Sequence, residues 1–170
     1  GKGRKNIPDT AKCYYRLYKF GDMHRLIAAY ESMLSEYGSM KEYVRSHAST
    51  GIEAVSAICR YFAEHDASTV VPRNTPSACK RVCMFLRWMV RSGSPVDLGL
   101  WADIIDRRTL IMPLDTHVVQ EALRLGLLKS RTASMATARR LTDAMLEVFP
   151  DDPLRGDFAL FGLGVDEDSK

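Results

Sequence analysis

The sequence has few of the features that would place a chain in a membrane or outside the cell. Its longest apolar stretches are broken by charge every few residues, as Met84–Val90 is by Arg87, whereas a membrane-spanning helix needs about 20 apolar residues. The basic start, Gly1–Asn6, leads to Pro8 and Asp9 and not to the apolar core of a secretory signal. We therefore expect a cytoplasmic protein without membrane attachment.

Cysteine and histidine are scarce, and their spacing is not that of a metal site. No two cysteines form a C-x-x-C pair, and no two histidines form an H-x-x-x-H pair. The sequence also lacks the glycine-rich loops that bind nucleotide phosphates and the G-x-S-x-G motif of many hydrolases. We expect reduced thiols, no metal and no cofactor. The cysteines and histidines are Cys13, Cys59, Cys79, Cys83, His24, His47, His65 and His117.

Glycine and proline are infrequent, at 11 and 7 of the 170 residues, which excludes a low-complexity or disordered chain. Hydrophobic residues make up 46% of the sequence and charged residues 26%, and a chain of this length forms one ordinary domain. We expect a single helical domain over residues 1–170, without an internal linker. The abrupt basic start suggests that an N-terminal helical segment is missing from it.

Apolar residues recur at three- and four-residue spacing along most of the chain, which predicts an irregular all-α bundle. Ser39 and Thr50 each stand three residues before a glutamate, which is the pattern of a helix-capping box. Thr75 followed by Pro76 predicts another helix start, and only Ser68–Val71 has a weak strand pattern. The predicted helices run from Asp22 to Gly38, over 40–46, 51–64 and 76–92, from Asp97 to Ile105, from Asp115 to Gly126, over 134–149, and through Phe158 to just before Gly162. Side chains expected in the core include Trp88, Trp101, Leu125 and Val148.

Positive charge is concentrated in one central segment. The chain carries a net charge of +3, yet no acidic residue lies between Asp66 and Asp97. Within that segment Lys80, Arg87 and Arg91 share one face of the predicted helix at 3.6 residues per turn. This face is either an ordinary solvated surface or a ridge that contacts nucleic-acid phosphates. The candidate phosphate contacts are Arg73, Lys80, Arg81, Arg87 and Arg91.

Asp115 stands at a predicted helix start, directly after a connector that contains a proline. Its carboxylate is expected to cap that helix by accepting a backbone amide hydrogen bond. A carboxylate at such a turn can also act as a base or stabilise a cationic sugar while an N-glycosidic bond breaks, and the two roles are compatible. His117 is expected to play a structural part, and Asp151 and Asp152 to form a turn in which Asp152 caps the last helix.

The run Met112–Val118, M-P-L-D-T-H-V, resembles the segment that carries the catalytic aspartate of the helix-hairpin-helix DNA glycosylases. The resemblance implies the all-α fold of that superfamily, a role in base-excision DNA repair, and double-stranded DNA as the partner. It also implies that Asp115 is the catalytic carboxylate.

The run Val71–Lys80 is similar to the hairpin of the bifunctional glycosylases, which ends in a Schiff-base lysine. The resemblance implies that Lys80 is a nucleophile. Such a lysine must lose its proton to attack a sugar carbon, and the neighbouring charge of Arg81 or desolvation favours the neutral amine. The two hairpin glycines and the iron–sulfur cysteines of some relatives are absent here, and Lys80 precedes Asp115 by 35 residues, a larger separation than in that superfamily.

Over residues 14–164 the chain is also similar to a bacterial family of unknown function. The similarity lies in blocks such as L-R-W-M-V-R, P-L-D-T-H-V and D-F-A-L-F-G-L-G. This similarity suggests a family for the chain but does not indicate which reaction, if any, it catalyses. Members of that family are longer at the N-terminus, which agrees with the missing segment expected from the abrupt start.

Two hypotheses about function stay open at this point. In the first, the chain is a DNA glycosylase or lyase that flips a damaged base into a pocket and cleaves its N-glycosidic bond with Asp115, with or without Lys80. In the second, it is a non-catalytic nucleic-acid-binding or interaction module on the same fold. The first predicts an enzyme associated with the nucleoid. The second predicts salt-sensitive binding of nucleic acid without any reaction on the strand.

Overall fold

The computed structural model describes residues 6–73 and 76–168, with backbone only for 164–168. The described part is mostly helical, as the apolar periodicity predicts, and its helices follow a small antiparallel hairpin. The elements are β1 (Cys13–Tyr15), β2 (Tyr18–Lys19), α1 (Phe20–Tyr37), α2 (Met40–His47), α3 (Gly51–Glu64), α4 (Lys80–Val90), a 3₁₀ turn (Arg107–Thr109), α5 (Thr116–Arg124), α6 (Met135–Val148) and α7 (Arg155–Asp168). None of the described helices combines the length and the apolar character needed to cross a bilayer.

The capping pattern of the sequence sets the starts of α2 and α3. The side chains of Ser39 and Thr50 accept hydrogen bonds from the backbone amides of Glu42 and Glu53, respectively. The carboxylate of Glu53 also accepts from the backbone of Thr50, so the capping box of α3 is complete. These predictions are confirmed to within one residue, because a cap satisfies amides of its own first turn and needs no distant partner.

Helix α1 begins two residues before the predicted cap. Asp22 lies in its first turn, and its carboxylate accepts a hydrogen bond from the backbone amide of Lys19 at 2.8 Å. Asp22 therefore stabilises the helix start from the third helical position and not as the cap residue. Gly38 ends the helix with a φ of +76°, a left-handed conformation that glycine adopts without strain. The predicted end of α1 is therefore confirmed, and its start was placed too late.

Helix α4 begins at Lys80 and not at 76. The carbonyl of Pro76 accepts from the amide of Met135 at 3.1 Å, and the amide of Ala78 donates to the carbonyl of Ala133 at 3.3 Å. These bonds tie the segment before α4 to the loop before α6, so its backbone cannot also close helical turns. The predicted cap, Thr75, lies outside the described residues.

Two other predicted elements are absent from the structure, and the predicted range of the last helix is wrong. The stretch from Asp97 to Ile105 is a series of turns and not a helix, because the amides of Leu98 and Trp101 donate to the carbonyls of Trp88 and Met89 at 2.7 Å and hold the chain against the end of α4. Helix α7 starts at Arg155 and continues through Gly162 and Gly164. Ser68–Val71 forms turns, while the hairpin of β1 and β2 had no predicted counterpart.

The core is built mainly from α3, α4, α5 and α6, and α7 packs against α5. Trp101 is buried in it, and its ring meets Phe85 edge to face at 5.3 Å between centroids. Trp88, which was also expected in the core, is 42% exposed. Leu125 and Val148 are also exposed, because each lies at the end of its helix, where the neighbouring element no longer covers it.

Candidate functional site

The starts of α4 and α5 meet at an ion pair between Lys80 and Asp115. The ammonium Nζ of Lys80 donates to Oδ2 of Asp115, across 35 residues of sequence. The other carboxylate oxygen, Oδ1, accepts from the backbone amide of His117 at 3.1 Å and caps α5, as the sequence predicts. One carboxylate group therefore closes a helix and binds the lysine at the same time.

The pair is open to solvent, since 46% of the Lys80 side chain and 26% of the Asp115 side chain are exposed. Partial burial raises the pKa of Asp115, but the bonds from Lys80 and from the His117 amide outweigh it, and the net effect lowers that pKa. The carboxylate is thus ionised well below neutral pH. Both charged groups are therefore accessible from solvent.

A cavity of about 190 Å³ adjoins Asp115 on one side. It is lined by apolar side chains of α5 and the loop before it, together with the polar groups of Gln120 and Arg131. On α7, Phe161 is 48% exposed and meets the ring of His117 edge to face at 6.0 Å between centroids. A larger cavity of about 460 Å³ lies beside the turns after α4 and contains neither member of the pair.

Two of the three residues of the cationic face predicted along α4 are buried. Arg87 and Arg91 are only 4% and 7% exposed, and each is paired with carboxylates from other parts of the chain. Arg91 binds Asp152 through Nε at 3.0 Å and through Nη2 at 2.8 Å, and it binds Asp97 through Nη1 at 2.7 Å. Arg87 and Arg91 are therefore not available as phosphate contacts, which corrects the prediction. Aspartates distant in sequence neutralise both guanidinium groups inside the fold.

Arg87 faces Asp157 of α7, and the two side chains form a direct charge-assisted hydrogen bond. Its guanidinium also lies over the ring of Phe158, 4.1 Å from the centroid. Burial raises the pKa of Asp157, and the opposing charges of Arg87 and Arg91 limit that rise. We call these five residues the buried charge cluster: Arg87, Arg91, Asp97, Asp152 and Asp157.

The acidic members of the buried charge cluster were not recognised in the sequence. Asp152 was expected to cap α7 and Asp97 to cap a helix of its own, yet both carboxylates bind Arg91. A signal was present, since a helix with two arginines on one face and no acid of its own needs counter-charges if that face is buried. Local sequence alone does not say that the face is buried.

Arg73 and Arg81 stay at the surface, next to the loop before α4. Arg73 donates to the hydroxyl of Ser68 at 3.4 Å, and Arg81 donates to the carbonyl of Val70 at 3.5 Å. Of the five predicted phosphate contacts, the structure keeps Arg73, Lys80 and Arg81 accessible. Among the described residues, no group of three or more His, Cys, Asp or Glu side chains is arranged to hold a metal ion.

Fold and site together define a mostly helical protein with an accessible lysine–carboxylate pair. Over residues 2–166 the chain matches the model of a family described as "Protein of unknown function (DUF2400)", and it belongs to that family. The sequence-based expectation of a family of unknown function is thus confirmed. Neither the curated proteins nor the solved structures include a match to this chain, and the resemblance to the glycosylases stays a prediction.

We predict that Asp152→Asn lowers the free energy of unfolding by about 3 kcal/mol, because it removes the carboxylate that pairs with both Nε and Nη2 of the buried Arg91. Chemical denaturation measures the change. The matched control is Asp103→Asn, which removes a carboxylate from an exposed pair with Arg45 and should have a much smaller effect. Equal effects of the two substitutions would contradict the buried charge cluster as described.

We predict that Lys80→Met raises the pKa of Asp115, because it removes the strongest of the contacts that lower it. A carboxyl group whose folded pKa is depressed contributes stability above its unfolded pKa and loses that contribution as pH falls through the folded pKa. The wild type should therefore keep this contribution to a lower pH than the variant. Carbon-13 NMR titration of the Asp115 carboxyl measures both midpoints, and an unchanged midpoint would argue against the ion pair in solution.

Proposed function

We propose that this protein is a DNA-binding base-excision enzyme, a glycosylase or lyase that cleaves the N-glycosidic bond of a damaged base. The observation that carries the proposal is the accessible ion pair of Lys80 and Asp115. These are the two residues to which the sequence resemblance assigns the chemistry, and they lie 35 residues apart in the chain. A pair of catalytic groups must be within hydrogen-bond reach of each other to act together.

The carboxylate of Asp115 suits a reaction that develops positive charge on a sugar. Its lowered pKa keeps it ionised at neutral pH, and its position as the cap of α5 fixes the direction of the group. As the bond between C1′ and the base breaks, the sugar ring becomes cationic, and a fixed negative charge beside it lowers the energy of that state. This role needs no movement of the Asp115 side chain.

The amine of Lys80 supplies a nucleophile for the lyase form of the reaction. In that form Nζ of Lys80 first loses a proton to solvent, and the neutral amine, beside the ionised Asp115, forms a bond to C1′. The bond between C1′ and the base breaks, the base leaves with the electron pair, and it takes up a proton. The nitrogen then loses its second proton, the bond between C1′ and the ring oxygen breaks, and that oxygen takes up a proton. The product is a protonated Schiff base between Lys80 and C1′.

The surroundings of the pair suit a flipped nucleotide. The cavity beside Asp115 has a mixed lining: Leu114, Val119 and Ala133 offer apolar contacts to a base, and the amide of Gln120 and the guanidinium of Arg131 can hydrogen-bond to its edges. Arg73 and Arg81 are exposed near the start of α4 and can contact backbone phosphates. Because Arg87 and Arg91 are buried, we assign them no role in binding DNA.

We predict that Asp115→Asn lowers the rate of base release by about 10²–10⁴-fold, since it removes the charge that stabilises the cationic sugar. The test is cleavage of duplexes that carry uracil, 8-oxoguanine, an alkylated base or an abasic site. The control is Asp106→Asn, which alters a similar capping carboxylate at the 3₁₀ turn and should leave the rate unchanged. DNA binding without turnover on any substrate would favour the non-catalytic module.

We predict that borohydride traps a covalent adduct between the wild type and an abasic duplex, and that Lys80→Arg abolishes it. Arginine keeps the charge but is not deprotonated in proteins, so it forms no Schiff base. Lys41→Arg is the matched control, because Lys41 also belongs to a surface pair with an aspartate. An adduct that persists in Lys80→Arg would remove Lys80 from the mechanism and leave a glycosylase that depends on Asp115 alone.

A further inference from the structure

Two cysteines meet between α3 and α4, next to the proposed site but outside it. The Sγ atoms of Cys59 and Cys79 are 3.8 Å apart, although twenty residues separate them in the sequence. Both residues are buried, with 1% and 2% of their surface exposed. Cys59 lies in α3, and Cys79 immediately precedes the first residue of α4.

The backbone of Cys79 is held in an unfavourable conformation. Its φ of 46° and ψ of 38° lie in the left-handed region, which residues other than glycine, asparagine and aspartate seldom adopt. The hydrogen bonds of Pro76 and Ala78 to the segment before α6 fix the chain on one side, and α4 fixes it on the other. The fold therefore keeps the Cys79 thiol against Cys59 at a conformational cost, and such strain is concentrated at functional positions in proteins.

The three buried cysteines of this region differ in their readiness to ionise. The hydrogen bond from Cys59, with a smaller contribution from Ser77, lowers the pKa of Cys79 to about 6 although burial opposes it. Burial and the neighbouring Cys79 raise the pKa of Cys83 to about 12. Since the thiolate is the reactive form of cysteine, these shifts favour Cys79 over Cys83 as the thiol that reacts.

We propose that Cys59 and Cys79 form a reversible disulfide when the protein meets a peroxide. The Cys79 thiolate attacks one oxygen of the peroxide, the O–O bond breaks, and Cys79 becomes a sulfenic acid, while the other oxygen takes up the proton that the thiol had lost and leaves as water or an alcohol. The sulfur of Cys59 then attacks Sγ of Cys79, the S–O bond breaks, and a second water leaves with the thiol proton of Cys59. Two thiols lose two electrons, and the peroxide gains them.

The geometry requires only a small movement. A disulfide bond is about 2.05 Å long, so the two sulfur atoms, now 3.8 Å apart, must approach each other by about 1.8 Å. Cys79 is bonded directly to Lys80, so any backbone movement of Cys79 during the approach would shift the start of α4. If Lys80 acts as proposed above, oxidation would thus change its alignment with Asp115, a consequence that rests on the proposed function.

The test uses the full chain, hydrogen peroxide and no DNA, so its outcome is independent of the glycosylase proposal. After oxidation and blocking of free thiols, trypsin digestion without reductant should yield residues 46–60 linked to residues 74–80. Dithiothreitol should separate the two peptides. Cys83→Ser is the matched control, because it removes a buried thiol of the same region and should leave the linked peptide in place.

Cys59→Ser gives the second readout. Without its partner, Cys79 should stop at the sulfenic acid, which dimedone traps on residues 74–80. The exposed Cys13 reports the dose of peroxide in every sample. If Cys13 is oxidised while Cys59 and Cys79 stay unlinked, or if Cys79 links mainly to Cys13 or Cys83, the proposal is overturned.

Discussion

Two buried arginines set conditions that the rest of the fold must meet. A guanidinium cannot be deprotonated in a protein, so its burial requires carboxylates placed within hydrogen-bond reach. Arg91 obtains them from the loop after α4 and from the turn before α7, and Arg87 obtains one from α7 itself. The positions of both flanking segments relative to α4 therefore follow from charge pairing as well as from apolar packing.

The same arrangement positions the candidate site. Helix α4 carries Lys80 at its first residue and Arg87 two turns later, and Arg91 directly follows its last residue. Helix α7 pairs with those arginines and also packs against α5, whose cap is Asp115. Because α7 contacts both helices, the lysine and the carboxylate are held near each other by elements that are themselves fixed. The segment before Lys80 contains Cys79, whose left-handed backbone is the one strained position next to the site among the described residues.

Local patterns in the sequence were enough to predict those parts of the structure that depend on near neighbours. Ser39, Thr50 and Asp115 cap the helices that the sequence assigns to them, and Gly38 ends α1. Lys80 and Asp115 were each singled out as candidate site residues, but nothing in their spacing showed that they meet. That contact depends on how α4 and α5 pack, which is a property of the whole chain.

The sequence by itself determined the mostly helical class and the helix ends that are set by local caps, and it singled out Lys80 and Asp115 as candidate site residues. It could not determine which face of α4 is buried, because Arg87 and Arg91 fit a solvated helix surface as well as a buried one. Only the tertiary structure decided this, through carboxylates as distant in sequence as Asp157. Helix caps act within one turn, whereas the burial of a charge depends on partners that folding alone brings together.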